Sequence, residues 1–216
     1  VNALKSVYIL VEPGEGESSF DSEEGLIEAL GDLEDSLARM EGAVVTEAPG
    51  TNNEWASYDS IYRILADAIE QDPSFGVDNN LEVFGEDLAP SESFVEGDLA
   101  MAISSLLQNG TVGDQLRGTT WAERGGEHVG LTEDGGAIRY LRIRVDVEAQ
   151  SSAMVEQISE EMGAEASIVS SDTGGRAYAV GDLMTLSNLL SGLISSIVSS
   201  TAISLTVSLL VLATLT

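Results

Sequence analysis

Apolar residues near the start of the chain follow two different periods, and each period predicts one kind of element. The unbroken apolar run at residues 6–11 predicts a strand. From Leu26 to Met40 apolar residues recur at spacings of four and three, which predicts a helix that begins near Asp21. Residues 43–46 then predict a second strand. This part of the chain therefore has the plan strand, helix, strand.

The same plan returns in the second half of the chain. Residues 138–147 alternate, so that Leu141 and its apolar neighbours lie on one face of a strand and arginines lie on the other. An amphipathic helix follows, and Gly163 is positioned to end it. Residues 166–169 predict the closing strand, and the turn at 172–175 then leads out of the domain.

An insertion separates the two units, from about residue 47 to about residue 136. Two of its segments have helical spacing: one is centred on Leu65, and the other opens at Ser93 and carries Leu99. Two strand–helix–strand units side by side make the split βαβ, or ferredoxin-like, fold, in which helices cover one face of an antiparallel sheet. We therefore predict an α+β domain of this type over residues 1–182.

The last part of the chain carries no charge. No Asp, Glu, Lys or Arg follows Asp182, and an uncharged apolar stretch of 18 or more residues is a candidate membrane helix. As one helix, residues 183–216 would be about 50 Å long. Since this is too long for a single crossing, we predict that the membrane-spanning part begins at about Ile197. The chain opens on Val1 and stops inside this apolar run, and we expect it to be part of a longer membrane protein.

Small residues recur along the first half of this tail. At spacings of four they form a ridge that a second helix can approach closely. The residues of this predicted packing ridge are Ser187, Ser191, Gly192, Ser195 and Ser199. The alternative interpretation is that serine only lowers the hydrophobicity of the segment.

Acidic residues outnumber basic residues by 37 to 9, which gives a net charge of −28. Such a charge destabilises a compact domain by self-repulsion, and molar salt removes most of the repulsion by shortening the Debye length to about 3 Å. Because 43% of the residues are hydrophobic, the chain can still build a core. We therefore expect a protein adapted to concentrated salt, and the alternative is a surface made for a basic partner. Nucleic acid is not an expected partner, because its phosphates would be repelled.

Residue types that serve catalysis and metal binding are scarce. The chain has one histidine, His128, and no cysteine, so zinc sites and nucleophilic triads lack their usual side chains. We predict no catalytic residue, no metal site and no cofactor. Arg142 and Arg144 share one face of a predicted strand. Ion pairing with the acidic surface is one interpretation of this pair, and a docking or ligand contact is the other.

The order of these segments resembles a known family of membrane proteins. The matching segments are VYILVE at residues 7–12, the helix with its GAVV end at 26–45, LRIRV at 141–145 and TGG at 173–175, followed by the uncharged helix with its SLLV run. In this order they resemble the extracytoplasmic porter domain of the resistance-nodulation-division (RND) superfamily, in its lipid-exporter-like (MMPL) branch and in a haloarchaeal version. The insertion matches by position alone.

The resemblance implies a membrane exporter. In this family each half of the protein has one membrane helix, a large external domain and five more helices, and proton movement through acidic residues of central membrane helices drives export. The chain would then supply one external domain, on the extracytoplasmic side of the cell membrane, and the helix that follows it. Its expected partners are the lipid bilayer, the remaining membrane helices and the second external domain of the same protein. Formation of a homo-oligomer stays open.

A surface-exposed binding or sensor domain held by a single C-terminal membrane anchor is the alternative function. An exporter needs several further membrane helices, whereas an anchored domain needs none. Neither function requires covalent chemistry, so we expect a protein that is not an enzyme.

Overall fold

The protein is a mixed α+β structure with one main sheet and one long C-terminal helix. A computed structural model describes residues 5–40, 45–47, 54–56, 58–85, 87–108, 113–114 and 119–215. The strands are β1 (Lys5–Glu12), β2 (Val45–Glu47), β3 (Glu54–Ala56), β4 (Tyr58–Asp59), β5 (Leu81–Phe84), β6 (Asp87–Pro90), β7 (Gly113–Asp114), β8 (Thr119–Thr120), β9 (Val129–Leu131), β10 (Ile138–Val147) and β11 (Arg176–Val180). The helices are α1 (Glu23–Arg39), α2 (Ile61–Gln71), α3 (Pro73–Asp78), α4 (Asp98–Gln108), α5 (Trp121–Gly125), α6 (Ser152–Thr173) and α7 (Asp182–Leu215).

The main sheet is antiparallel and has β1 near its centre. On one side β1 pairs with β11, where Tyr8 lies opposite Val180. On the other side it pairs with β10, where Val7 lies opposite Val145. The outer edge of β10 pairs with two short strands of the insertion, β4 and β9. The sheet order is therefore β11, β1, β10, and then β4 and β9 on the same edge.

One face of this sheet is buried, and the predicted alternation of β1 and β10 is confirmed. The side chains that point into the core are at most 1% exposed, and they are Val7, Ile9, Val11, Leu141, Ile143 and Val145. The apolar stripes of α1 and α6 belong to the same core, and the two helices pack against each other. The opposite face carries Tyr8, Leu10, Arg142 and Arg144, which are half-buried.

The predicted end of the second unit is wrong. Residues 166–169 are part of α6, which runs on to Thr173, and the strand that closes the unit is β11. The reason is that Ala166 and Val169 continue the buried stripe of the helix, whereas an added Cβ at Gly163 would meet no neighbour. Gly174 ends α6 instead, with the left-handed φ of 65° that favours glycine. The turn at 172–175 therefore leads into the sheet and not out of the domain.

Only part of the predicted second strand, residues 43–46, lies in the described part of the chain. Residues 43 and 44 lie outside the described residues, and Val45–Glu47 pairs with β3 in a separate two-stranded sheet. The position beside β10 that a split βαβ unit gives to its second strand is taken by β4 and β9. The α+β class is therefore established, whereas the ferredoxin-like strand order is not.

The insertion is integrated with the rest of the domain, because it supplies β4 and β9 to the sheet and its helices share the single core. The helix around Leu65 is confirmed as α2. The second predicted helix starts at Asp98, five residues later than predicted at Ser93. The carboxylate of Glu23 explains this start, since it accepts bonds of 2.9–3.2 Å from the backbone N–H groups of Gly97, Leu99 and Ala100.

Candidate functional site

The base of α7 is anchored in the domain. Leu183, Met184 and Ser187 are 4–8% exposed, and the first turns of the helix contact α6, β1 and β11. Gly181 precedes the helix with a φ of 146°, and a Cβ there would lie 3.2 Å from the backbone oxygen of Ser6. Glycine is therefore needed where the last strand of the sheet turns into the helix.

Beyond Ser187 the helix leaves the domain. Every described side chain from Asn188 to Leu205 is exposed, including large apolar ones such as Leu189, Leu193 and Ile197 at 60–64%. A soluble protein seldom exposes a continuous apolar surface of this kind. This part of α7 therefore requires a cover that the domain does not provide.

The apolar stretch of α7 is long enough to cross a membrane. Among the helices of the described residues, α7 alone is long and apolar enough. Its candidate membrane span is Asp182–Leu205, with 24 residues and a mean hydropathy of 1.4. This assignment rests on the length and composition of the helix.

The first residue of the predicted packing ridge lies inside the domain, and the other four lie outside it. Ser187 is buried against the domain, whereas Ser191, Gly192, Ser195 and Ser199 are exposed. A Cβ added at Gly192 would meet no atom within 4 Å. Ser191, Ser195 and Ser199 recur every four residues and Gly192 precedes Ser195 by three, so the four lie along one side of the projecting helix.

The two predicted docking arginines lie on the sheet face opposite the core. The Arg142 guanidinium lies 5.3 Å from the centre of the Tyr8 ring and 3.7 Å from a carboxylate oxygen of Glu127. Its Nε atom has no hydrogen-bond partner. Arg144 forms a closer ion pair with Asp146, at 2.9 Å. Arg142 is thus the less fully paired of the two.

A buried ionic network links the insertion to the sheet, and sequence reasoning missed it. Arg124 is 4% exposed in its side chain and binds Asp59 of β4 at 2.7 Å and Asp67 of α2 at 2.6 Å. Arg63 also contacts Asp67, at 3.3 Å. The only local signal was the Thr120-x-x-Glu123 capping box that starts α5 and so positions Arg124.

Two groups at this network have shifted pKa values: Arg124, and His128, whose Nε2 lies 3.8 Å from a carboxylate oxygen of Asp59. Burial by itself would lower the pKa of Arg124, but the bonds to Asp59 and Asp67 outweigh burial and raise it. Burial lowers the pKa of His128, whose Nδ1 lies 2.8 Å from the backbone oxygen of Arg142. The network therefore holds a charged arginine beside a histidine whose neutral form is favoured.

The described residues offer little to hold a metal or cofactor. In the described part of the chain, no three His, Asp or Glu side chains converge as metal ligands would. An open cleft of about 790 Å³, lined by both polar and apolar groups, lies between α3, α4 and the loop around Gly135. The base of α7 and the open side of the sheet are therefore the candidate functional regions.

A scan of the chain against protein-family models finds no matching model, and a search of curated proteins finds no matching sequence.

Proposed function

We propose that this chain is the external, porter-type domain and the following transmembrane helix of a proton-driven exporter of the RND/MMPL type. The observation that carries the proposal is α7, which starts inside the domain and continues without a break as an exposed apolar helix. A helix rooted in this way would transmit motion of the domain to the membrane. The substrate would pass along the external domain without covalent change.

Two further observations support the proposal. The order β11, β1, β10 and the common helix layer of α1 and α6 agree with three strands of a split βαβ domain, with β4 and β9 in the place of the fourth. The exposed apolar side of α7 also needs a cover, which the remaining membrane helices and the bilayer would supply. In this proposal residues 1–182 lie on the extracytoplasmic side, next to a second external domain.

The membrane part can be tested by cysteine labelling, because the chain has no cysteine of its own. We expect a membrane-impermeant maleimide added outside cells to label Ser151→Cys in the domain and Ser191→Cys at the base of α7. Ile203→Cys is expected to stay protected until the membrane is dissolved. Labelling of Ile203→Cys in intact membranes would contradict the proposed span, and labelling of Ser151→Cys only after lysis would contradict the proposed side.

The coupling role can be tested by breaking α7 at its base. A Gly-Pro insertion after Ser187 interrupts the helix, whereas an Ala-Ala insertion shifts the same residues and keeps the helical hydrogen bonds. In the native host we expect the Gly-Pro variant to reach the membrane but to lose export, measured by comparing the compounds in the medium and in the cells by mass spectrometry. Unchanged export by the Gly-Pro variant would contradict the exporter and would favour an anchored binding domain.

A further inference from the structure

Basic residues are concentrated in the main sheet. Five of the nine basic residues of the chain lie in its strands, and they are Lys5 in β1, Arg139, Arg142 and Arg144 in β10, and Arg176 in β11. The helices on the other side of the sheet are strongly acidic. The exposed acidic residues of α1 and α6 are Glu24, Glu28, Asp32, Asp35, Glu156, Glu160 and Asp172. The two sides of the domain therefore differ in electrostatic potential.

The outer side of the sheet also exposes large apolar groups in two cross-strand rows. One row runs from Val180 through Tyr8 to Arg144, and the other from Tyr178 through Leu10 to Arg142. Tyr178 and Val180 are 43% and 42% exposed. We call these six residues the open face. Tyrosine and arginine are, with tryptophan, the residue types enriched where a partner binds tightly.

The arginines at this side of the sheet can exchange their present partners. The contact of Arg142 with Glu127 is 3.7 Å long, and both side chains are more than one third exposed. Arg176 lies 3.3 Å from Glu12, and both side chains are more than one third exposed. Exposed ion pairs of this kind contribute little to stability, so a carboxylate from outside can replace them at low cost.

The helix layer offers a matching surface. A groove of about 350 Å³ lies between α1 and α6, with an apolar floor at Met40, one basic residue, Arg39, at its side and the carboxylates of Glu161 and Glu165 on its walls. We call it the helix groove. It suits an aromatic or arginine side chain, whose apolar body would contact the floor while its polar end meets a carboxylate.

We propose that the open face of one copy of this chain docks on the helix groove of a second copy. The carboxylates of the helix groove can take the place of Glu127 as the partner of Arg142, so the two surfaces match in charge at this contact. Because the two surfaces differ, the contact is head-to-tail. A second copy is also the partner that is certain to be present wherever the chain is expressed. The inference does not depend on export, and it holds equally for an anchored binding domain.

The absence of cysteine allows a direct test with the full chain in detergent micelles at molar salt. We expect a short bismaleimide to cross-link a mixture of Tyr178→Cys and Glu161→Cys copies into dimers, whereas either variant alone stays monomeric on a denaturing gel. Dimers of Tyr178→Cys alone would show a face-to-face contact and would overturn the proposal. Failure of the mixture to cross-link would also overturn it.

A charge-matched pair of variants tests the electrostatic part. Arg142→Gln and Gln108→Glu each make the chain more acidic by one charge, but Gln108 lies at the end of α4, outside both surfaces. We expect Arg142→Gln to raise the dissociation constant of the contact between copies about tenfold, as for loss of an interface arginine, and Gln108→Glu to leave it unchanged. Equal effects would mean that only net charge matters, and the docking surface would be wrong. Circular dichroism of each variant checks that it is folded.

Discussion

At the scale of single residues, Arg124 has the largest consequence, because it is a buried arginine in a protein whose surface is acidic. Arg124 joins α5 to β4 and α2 through Asp59 and Asp67, which are 15% and 6% exposed in their side chains. Breaking a buried pair is costly because it leaves an uncompensated charge away from water. The arginine therefore fixes the insertion against the edge of the main sheet.

This role predicts a large effect of one substitution. Arg124→Met leaves Asp59 and Asp67 without their shared cation and should lower the free energy of unfolding by about 3–5 kcal/mol. Arg39→Met removes an ion pair on the surface of α1, where Arg39 is 77% exposed, and should cost less than about 0.5 kcal/mol. Urea unfolding at molar salt measures both. Similar losses for the two variants would show that the buried network is not a stabilising link.

At the scale of elements, α6 shows how a glycine can be misread. The sequence places Gly163 after an amphipathic segment, and a glycine there is a normal helix end. The helix instead continues for ten residues to Thr173, because its buried stripe continues. Glycine at an exposed position inside a helix is destabilising relative to alanine.

The two glycines of this region should therefore respond in opposite ways to alanine. Gly163→Ala should stabilise the domain by about 1 kcal/mol, since a Cβ there meets no neighbour and alanine favours the helix. Gly174→Ala should destabilise it by about 1 kcal/mol or more, because φ is 65° at that position. Thermal or urea unfolding measures both changes. A destabilising Gly163→Ala would mean that α6 ends where the sequence first suggested.

At the scale of the whole molecule, the net charge of −28 acts on stability through salt. Carboxylates cover the exposed sides of α1 and α6 at close spacing, and the folded state brings them nearer to one another than the unfolded chain does. Salt at about 0.1 M screens this repulsion only beyond about 10 Å, and salt at about 1 M screens it beyond about 3 Å. Folding should therefore depend on salt concentration.

We expect the urea midpoint of unfolding to rise between about 0.1 M and about 1 M potassium chloride, which correspond to Debye lengths of about 10 and 3 Å. A variant with several exposed helix carboxylates replaced, such as Glu28→Gln, Asp32→Asn and Glu160→Gln together, should show a smaller rise because it has less repulsion to screen. A midpoint that is equal at both salt concentrations in the original chain would contradict adaptation to salt.

Local pattern was enough for part of this structure. The alternation of β1 and β10 and the helices α1 and α2 follow from residues that are close in sequence, because burial on one face imposes a period along the chain. The helix α7 follows from the uncharged apolar run after Asp182. The ends of segments were harder to predict, because an end can depend on a residue that is far away in the sequence. The starts of α4 and β11 depend on Glu23 and on the pairing with β1, and both partners lie far away in sequence.

The sequence by itself determined that the domain is α+β, strongly acidic, and followed by a helix that is apolar enough for a membrane. Only the tertiary structure decided that the insertion completes the sheet, that Arg124 is buried between two aspartates, and that α7 is held by the domain as far as Ser187 and projects beyond it. These features are contacts between distant segments. Their free energy depends on which surfaces meet, and no period along the chain records that.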